Sequence, residues 1–79
     1  MSGTRLTIER MRAEIAAILD EDPAEIGDDD SLIDFGLDSI RAMALVLRWR
    51  EEGERLEFAE LAERPTLSGW WQIASRNRA

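Results

Sequence analysis

The sequence predicts an all-α fold of four helices joined by one long acidic loop, packed as a single domain over residues 1–79. Three observations carry that expectation. Apolar residues recur at helical spacing in three separate stretches. No stretch alternates apolar and polar residues as a half-buried strand would. Helix-starting Thr, Asp and Ser and helix-stopping Gly and Pro bracket the periodic stretches.

The first helix is expected over residues 5–20. Ile8, Met11, Ile15, Ile18 and Leu19 fall on one side of it. Thr4 or Thr7 is placed to cap its start, and Asp20, Glu21, Asp22 and Pro23 discourage continuation. Residues 21–38 have no clear period. A connection of that length in a compact domain is often functional. Ile26, Leu32, Ile33, Phe35 and Leu37 read as apolar pins that lay it across the helices, with a helical turn near residues 29–33.

Residues 39–52 form the strongest helical pattern. Asp38 and Ser39 suit its N-terminus, and Gly53 suits its stop. Two apolar stripes run along it: Ala42, Leu45, Val46, Trp49, and Ile40, Met43, Ala44, Leu47. The first ends in a large tryptophan and is assigned to the core. That leaves Ile40, Met43 and Leu47 nearer the surface, where Met43 suits an adaptable binding face. A short helix follows at 57–62 and stops at Arg64-Pro65. The last helix, 66–75, is capped by Thr66 and places Leu67, Trp70, Trp71 and Ala74 on one side, the two tryptophans reading as core. Its Gly69 costs up to about 1 kcal/mol of helix propensity.

Composition excludes much chemistry. The 79 residues include no Cys, His or Tyr, so disulfides, Cys/His zinc sites and His-based nucleophilic machinery are absent. The chain is therefore not expected to be an enzyme; it presents something to partner enzymes. The net charge is −7, and every base is an arginine. Nucleic acid is a poor partner for such a chain. Neither a signal peptide nor a membrane span is visible, which makes a cytoplasmic protein the expectation. Residues 20–38 hold nine acids and no base. They do not fit a calcium loop: counted from Asp20, the sixth position is Glu25 instead of glycine and the twelfth is Ser31 instead of glutamate. No metal site is expected.

The chemistry-bearing stretch is Asp34-Phe35-Gly36-Leu37-Asp38-Ser39-Ile40. A glycine-containing loop ends in Asp-Ser at the mouth of the central helix. That arrangement exposes one primary hydroxyl beside free N–H groups and a partial positive charge, which suits a phosphodiester. In isolation, Asp-Ser reads far more readily as a plain helix cap; the surrounding run reverses that preference.

The run Leu32-Ile33-Asp34-Phe35-Gly36-Leu37-Asp38-Ser39 resembles the 4′-phosphopantetheine attachment motif of carrier proteins. The resemblance extends over about residues 5–75. Within that family the chain is most similar to aryl carrier proteins of siderophore-type nonribosomal peptide synthesis, such as the C-terminal domain of isochorismatase fusion proteins. Ile40-Arg41, Met43-Ala44-Leu45, Arg48-Trp49-Arg50, Phe58-x-x-Leu61-Ala62, Pro65-Thr66-Leu67 and Trp70-Trp71 carry that narrower likeness. No isochorismatase domain lies within these residues, so the chain is either a freestanding carrier or an excised domain.

The resemblance implies a four-helix carrier bundle, monomeric as an isolated domain. It makes Ser39 the acceptor of 4′-phosphopantetheine from coenzyme A, with Asp38 as the adjacent motif residue. The arm's thiol would hold an aryl acid such as salicylate or 2,3-dihydroxybenzoate as a thioester. Implied partners are a phosphopantetheinyl transferase, an aryl-acid adenylating enzyme and a condensation domain of a nonribosomal peptide synthetase. Ile40, Met43, Phe58 and Ala62 would form the partner interface, with Arg41 meeting a phosphate, a partner acid or solvent. Two alternatives remain: an acyl or peptidyl carrier of another pathway, and an unmodified helical interaction module. A DNA-binding helical domain is disfavoured by the charge.

Overall fold

The computed structural model describes residues 6–78. Four helices appear in the expected order: α1 (Ile8–Leu19), α2 (Ser39–Glu51), α3 (Phe58–Glu63) and α4 (Leu67–Arg78). Thr7 caps α1, its side-chain oxygen accepting from Arg10 N–H at 3.1 Å. The alternative cap, Thr4, lies outside the described residues. Asp20 ends α1 in the left-handed region with φ 59°, a conformation Asp tolerates better than most residues. Helix α1 is thus shorter at both ends than residues 5–20. Helix α4 runs three residues beyond the expected 75, and Thr66 Oγ1 accepts from Gly69 N–H at its start.

One core gathers a stripe from every helix. Met11, Ile15, Ala16 and Leu19 of α1 are buried, as are Ala42, Leu45, Val46 and Trp49 of α2, Leu61 of α3, and Leu67, Trp70, Ile73 and Ala74 of α4. Trp49 and Trp70 meet edge to face, ring centroids 6.0 Å apart at 77°. Such a pair contributes roughly 0.5–1.5 kcal/mol beyond its area burial. Both indoles are satisfied: Trp49 Nε1 donates to Glu14 at 2.8 Å and Trp70 Nε1 donates to the Leu61 carbonyl at 2.9 Å. Trp71 departs from the core assignment. It is half-buried at the cluster's edge, and the α4 stripe turns through Ile73 instead.

The first loop is ordered by contacts with α1, the α3–α4 turn and the start of α4. Arg12 donates to the Ile26 carbonyl and to Asp28, both at 2.6 Å. Leu32 N–H donates to the Pro65 carbonyl, and Ser68 N–H to the Asp28 carbonyl. The Ser68 hydroxyl donates to Asp29 at 2.8 Å. Two expectations are corrected here. The helical turn lies not at 29–33 but at Pro23–Glu25, a 3-10 turn with Pro at its start and Asp22 accepting from Ala24 N–H; proline is preorganised for that position. And Ile33 is no pin: it is 57% exposed. Tight turns at 32–36, closed by Gly36 N–H to the Ile33 carbonyl, send Leu32 and Leu37 inward and Ile33 out.

Candidate functional site

Helix α2 begins where the loop's last turn ends. Gly36 has φ +100°, with nothing within 4 Å of where a Cβ would sit. The left-handed backbone, not lack of room, therefore favours glycine there. Asp38 follows in extended conformation. Its carboxylate accepts from Arg41 N–H at 2.9 Å, and its carbonyl from Ala42 N–H at 2.9 Å. The carboxylate is thus occupied as the helix cap. Ser39, the first helical residue, is exposed and leaves its hydroxyl free of that duty. The N–H groups of Ser39 and Ile40 have no partner among the described residues. A free hydroxyl beside two free N–H groups at the positive end of a 13-residue helix fits a phosphodiester.

Beside Ser39 lies an apolar recess of about 100 Å³ between α2, α3 and α4. Leu37, Ala42, Phe58, Leu61, Ala62 and Trp70 line it. The structure therefore brings Ser39, Phe58 and Ala62 together around one opening, Phe58 half-buried and Ala62 exposed. Ile40 and Met43 lie on the exposed face of α2 at 81% and 41%, with Leu47 at 53% beyond them. Met43 does not line the recess; it stands one turn along the helix from Ile40. Arg41 is exposed and forms no ion pair with a described residue. Sequence reasoning missed the contributions of Leu37 and Pro65 to the recess. The Arg64-Pro65-Thr66 break was the available signal, since it turns the chain back toward Ser39.

Residues 9–72 match the family described as the phosphopantetheine attachment site. The chain belongs to this carrier family. It is 49% identical over 67 residues to an isochorismatase of Bacillus subtilis, covering 85% of this chain and 22% of that protein. It is 48% identical over 66 residues to enterobactin synthase component B of Escherichia coli, covering 84% and 23%. A phenyloxazoline synthase of Mycolicibacterium paratuberculosis is 43% identical over 70 residues, covering 89% and 6%. The chain thus spans less than a quarter of the length of these curated relatives. The solved HMG-ACPI domain of the CurA module from Lyngbya majuscula has the same fold, with a TM-score of 0.68, 24% identity, and coverage of 98% of this chain and 94% of that one. The carrier family accounts for the missing Cys and His: its reactive thiol comes with phosphopantetheine. No helix among the described residues is long and apolar enough to cross a membrane.

Proposed function

We propose that this chain is an aryl carrier of siderophore-type nonribosomal peptide synthesis and that Ser39 is its attachment residue. The observation that carries the site is the division of labour at the α2 terminus. Asp38 caps the helix, so the Ser39 hydroxyl stands exposed beside free N–H groups. A transferase would deprotonate that hydroxyl, whose oxygen attacks the β-phosphorus of coenzyme A, the one esterified to pantetheine; its bond to the bridging pyrophosphate oxygen breaks and 3′,5′-adenosine bisphosphate leaves. When bound, the arm supplies a terminal thiol that carries an acyl group as a thioester. The names of the relatives, isochorismatase, enterobactin synthase component B and phenyloxazoline synthase, support an aryl acid as cargo. The partners in this reading are a phosphopantetheinyl transferase, an aryl-acid adenylating enzyme and a condensation domain, acting in the cytoplasm where coenzyme A is available.

Intact mass tests both parts. The wild-type chain incubated with coenzyme A and a promiscuous transferase gains one phosphopantetheine, and Ser39→Ala gains none while keeping its helical circular dichroism. Full modification of the alanine variant would remove Ser39 from the site. The modified wild type is then offered an aryl-acid ligase and, separately, amino-acid-activating domains. Preferential aryl loading is expected; equal loading with an amino acid would make it a peptidyl carrier.

A further inference from the structure

The recess beside Ser39 differs between its two ends. Asp38 and Ser39 stand at one end, and the rest of the lining is apolar. Buried Leu37, Ala42 and Leu61 form its floor, with half-buried Phe58 and exposed Ala62 at the α3 rim. The polar groups that Asp38 and Trp70 bring to it are already engaged: the Asp38 carboxylate accepts from Arg41 N–H, and Trp70 Nε1 donates to the Leu61 carbonyl. What remains is a small oily hollow that opens directly beside an exposed hydroxyl.

Resting on the reading of Ser39 as the attachment residue, we propose that this recess seats the arm itself: it takes the geminal dimethyl group of the pantoyl unit and holds the first part of the phosphopantetheine against α2 and α3. Connectivity selects this occupant. In phosphopantetheine a single methylene separates the phosphate ester oxygen from the quaternary carbon that bears the two methyls. Ser39 is itself part of the lining, so a phosphate on its hydroxyl delivers those methyls to the hollow's edge. The tether also supplies a local concentration that no free ligand has. Size and polarity exclude the cargo. A benzene ring occupies a cavity of about 150 Å³, whereas the recess offers about 100 Å³. A hydroxylated aryl acid is larger still, and its hydroxyls would find the polar groups of Asp38 and Trp70 taken. A quaternary carbon with two methyls is compact and carries no polar atom. Each methyl withdrawn from water favours docking about fourfold, and the bonds that stop rotating take part of that back. Docked and free arms therefore coexist, the docked form in roughly threefold excess. An arm so held starts from the α3 side of Ser39 and is released at little cost when a partner draws out the thiol.

The test compares three species, each brought to complete modification as read by intact mass. The first is wild type with the natural arm. The second is wild type with an arm from a coenzyme A analogue that lacks the two methyls. The third is Ala62→Leu with the natural arm, which fills the recess from an exposed position. In the first, NOEs should join the arm's methyl protons to side chains of Leu37, Phe58 or Ala62. The second keeps the phosphate, and with it any effect of charge at the start of α2, but should melt about 3–6 °C lower than the first. Ala62→Leu should retain its helical circular dichroism and lose the NOEs; should it fail to fold, the first two species decide alone. Equal melting of those two, with no NOE from the methyls to the recess, would overturn the proposal. So would NOEs from the ring of the aryl-loaded protein in place of the methyls, which would make the cargo the occupant. A wild type that accepts no arm, or a Ser39→Ala variant that accepts one, would instead overturn the reading on which the proposal rests.

Discussion

Asp38 and Ser39 show how one dipeptide divides two tasks. A serine used as its own cap would turn its hydroxyl toward the backbone; with Asp38 accepting from Arg41 N–H, Ser39 keeps its oxygen outward. The sequence displayed both residues, but not which one capped. Gly69 is less legible. As a glycine inside a helix it appeared only as a propensity cost. In the structure a Cβ there would lie 2.9 Å from both Arg64 Cβ and Thr66 Oγ1, and 3.2 Å from the Arg64 carbonyl. The glycine lets the α3–α4 turn close over the first turn of α4, a contact no spacing rule reveals. In an exposed helix Gly→Ala would stabilise by up to about 1 kcal/mol. Gly69→Ala is expected to reverse that sign, losing roughly 1–3 kcal/mol as the Thr66 cap and Arg64 are displaced. Urea denaturation decides it, and a raised midpoint would contradict the close-packing account.

Helix α2 was the most legible element because its two stripes differ in size as well as position. The stripe ending in Trp49 is buried, while Ile40, Met43 and Leu47 of the other are exposed. The short α3 stands beside Ser39 through Phe58 and Ala62. An apolar surface of this kind suits a partner that must leave after each transfer, because small interfaces are weak and transient. Met43→Glu and Phe58→Glu are therefore expected to leave transferase modification near wild type and to reduce passage of the aryl group to a condensation domain about tenfold or more, the loss of one interface anchor. Met43, at 41% exposure, should tolerate the charge without loss of fold. Phe58 is half-buried against the core, so its variant must first show native circular dichroism. Folded variants with normal transfer would place the interface elsewhere.

Residues 20–38 mark where the sequence stopped being readable. Its apolar residues face in or out according to successive turns, not a helical or strand period, which is why pattern alone counts the exposed Ile33 among the pins. Its anchors are also far away in sequence. Arg12, Pro65 and Ser68 hold it through Ile26, Asp28, Asp29 and Leu32, and local pattern carries no trace of such pairings. Acidic, aperiodic and long, the segment looks like a candidate for independent opening. The core argues otherwise, because Ile26, Leu32 and Leu37 are buried in the same cluster as Trp49 and Trp70. A chain this small has roughly 3–5 kcal/mol of net stability, and withdrawing three buried aliphatic side chains, each contributing about 1.5–3 kcal/mol, would use all of it. The loop is therefore expected to open only when the whole molecule unfolds. Hydrogen exchange at the Leu32 amide, which donates to the Pro65 carbonyl at 2.8 Å, reads this directly. Its opening free energy should equal that of the α2 core amides and the value from urea denaturation. Arg12→Ala should lower all three together, by about 1–2 kcal/mol, since it removes charge-assisted bonds of which the Asp28 one is half exposed to water. Fast exchange at Leu32 with the α2 amides still protected would show instead that the loop opens by itself, and that the site before Ser39 is a separately moving part.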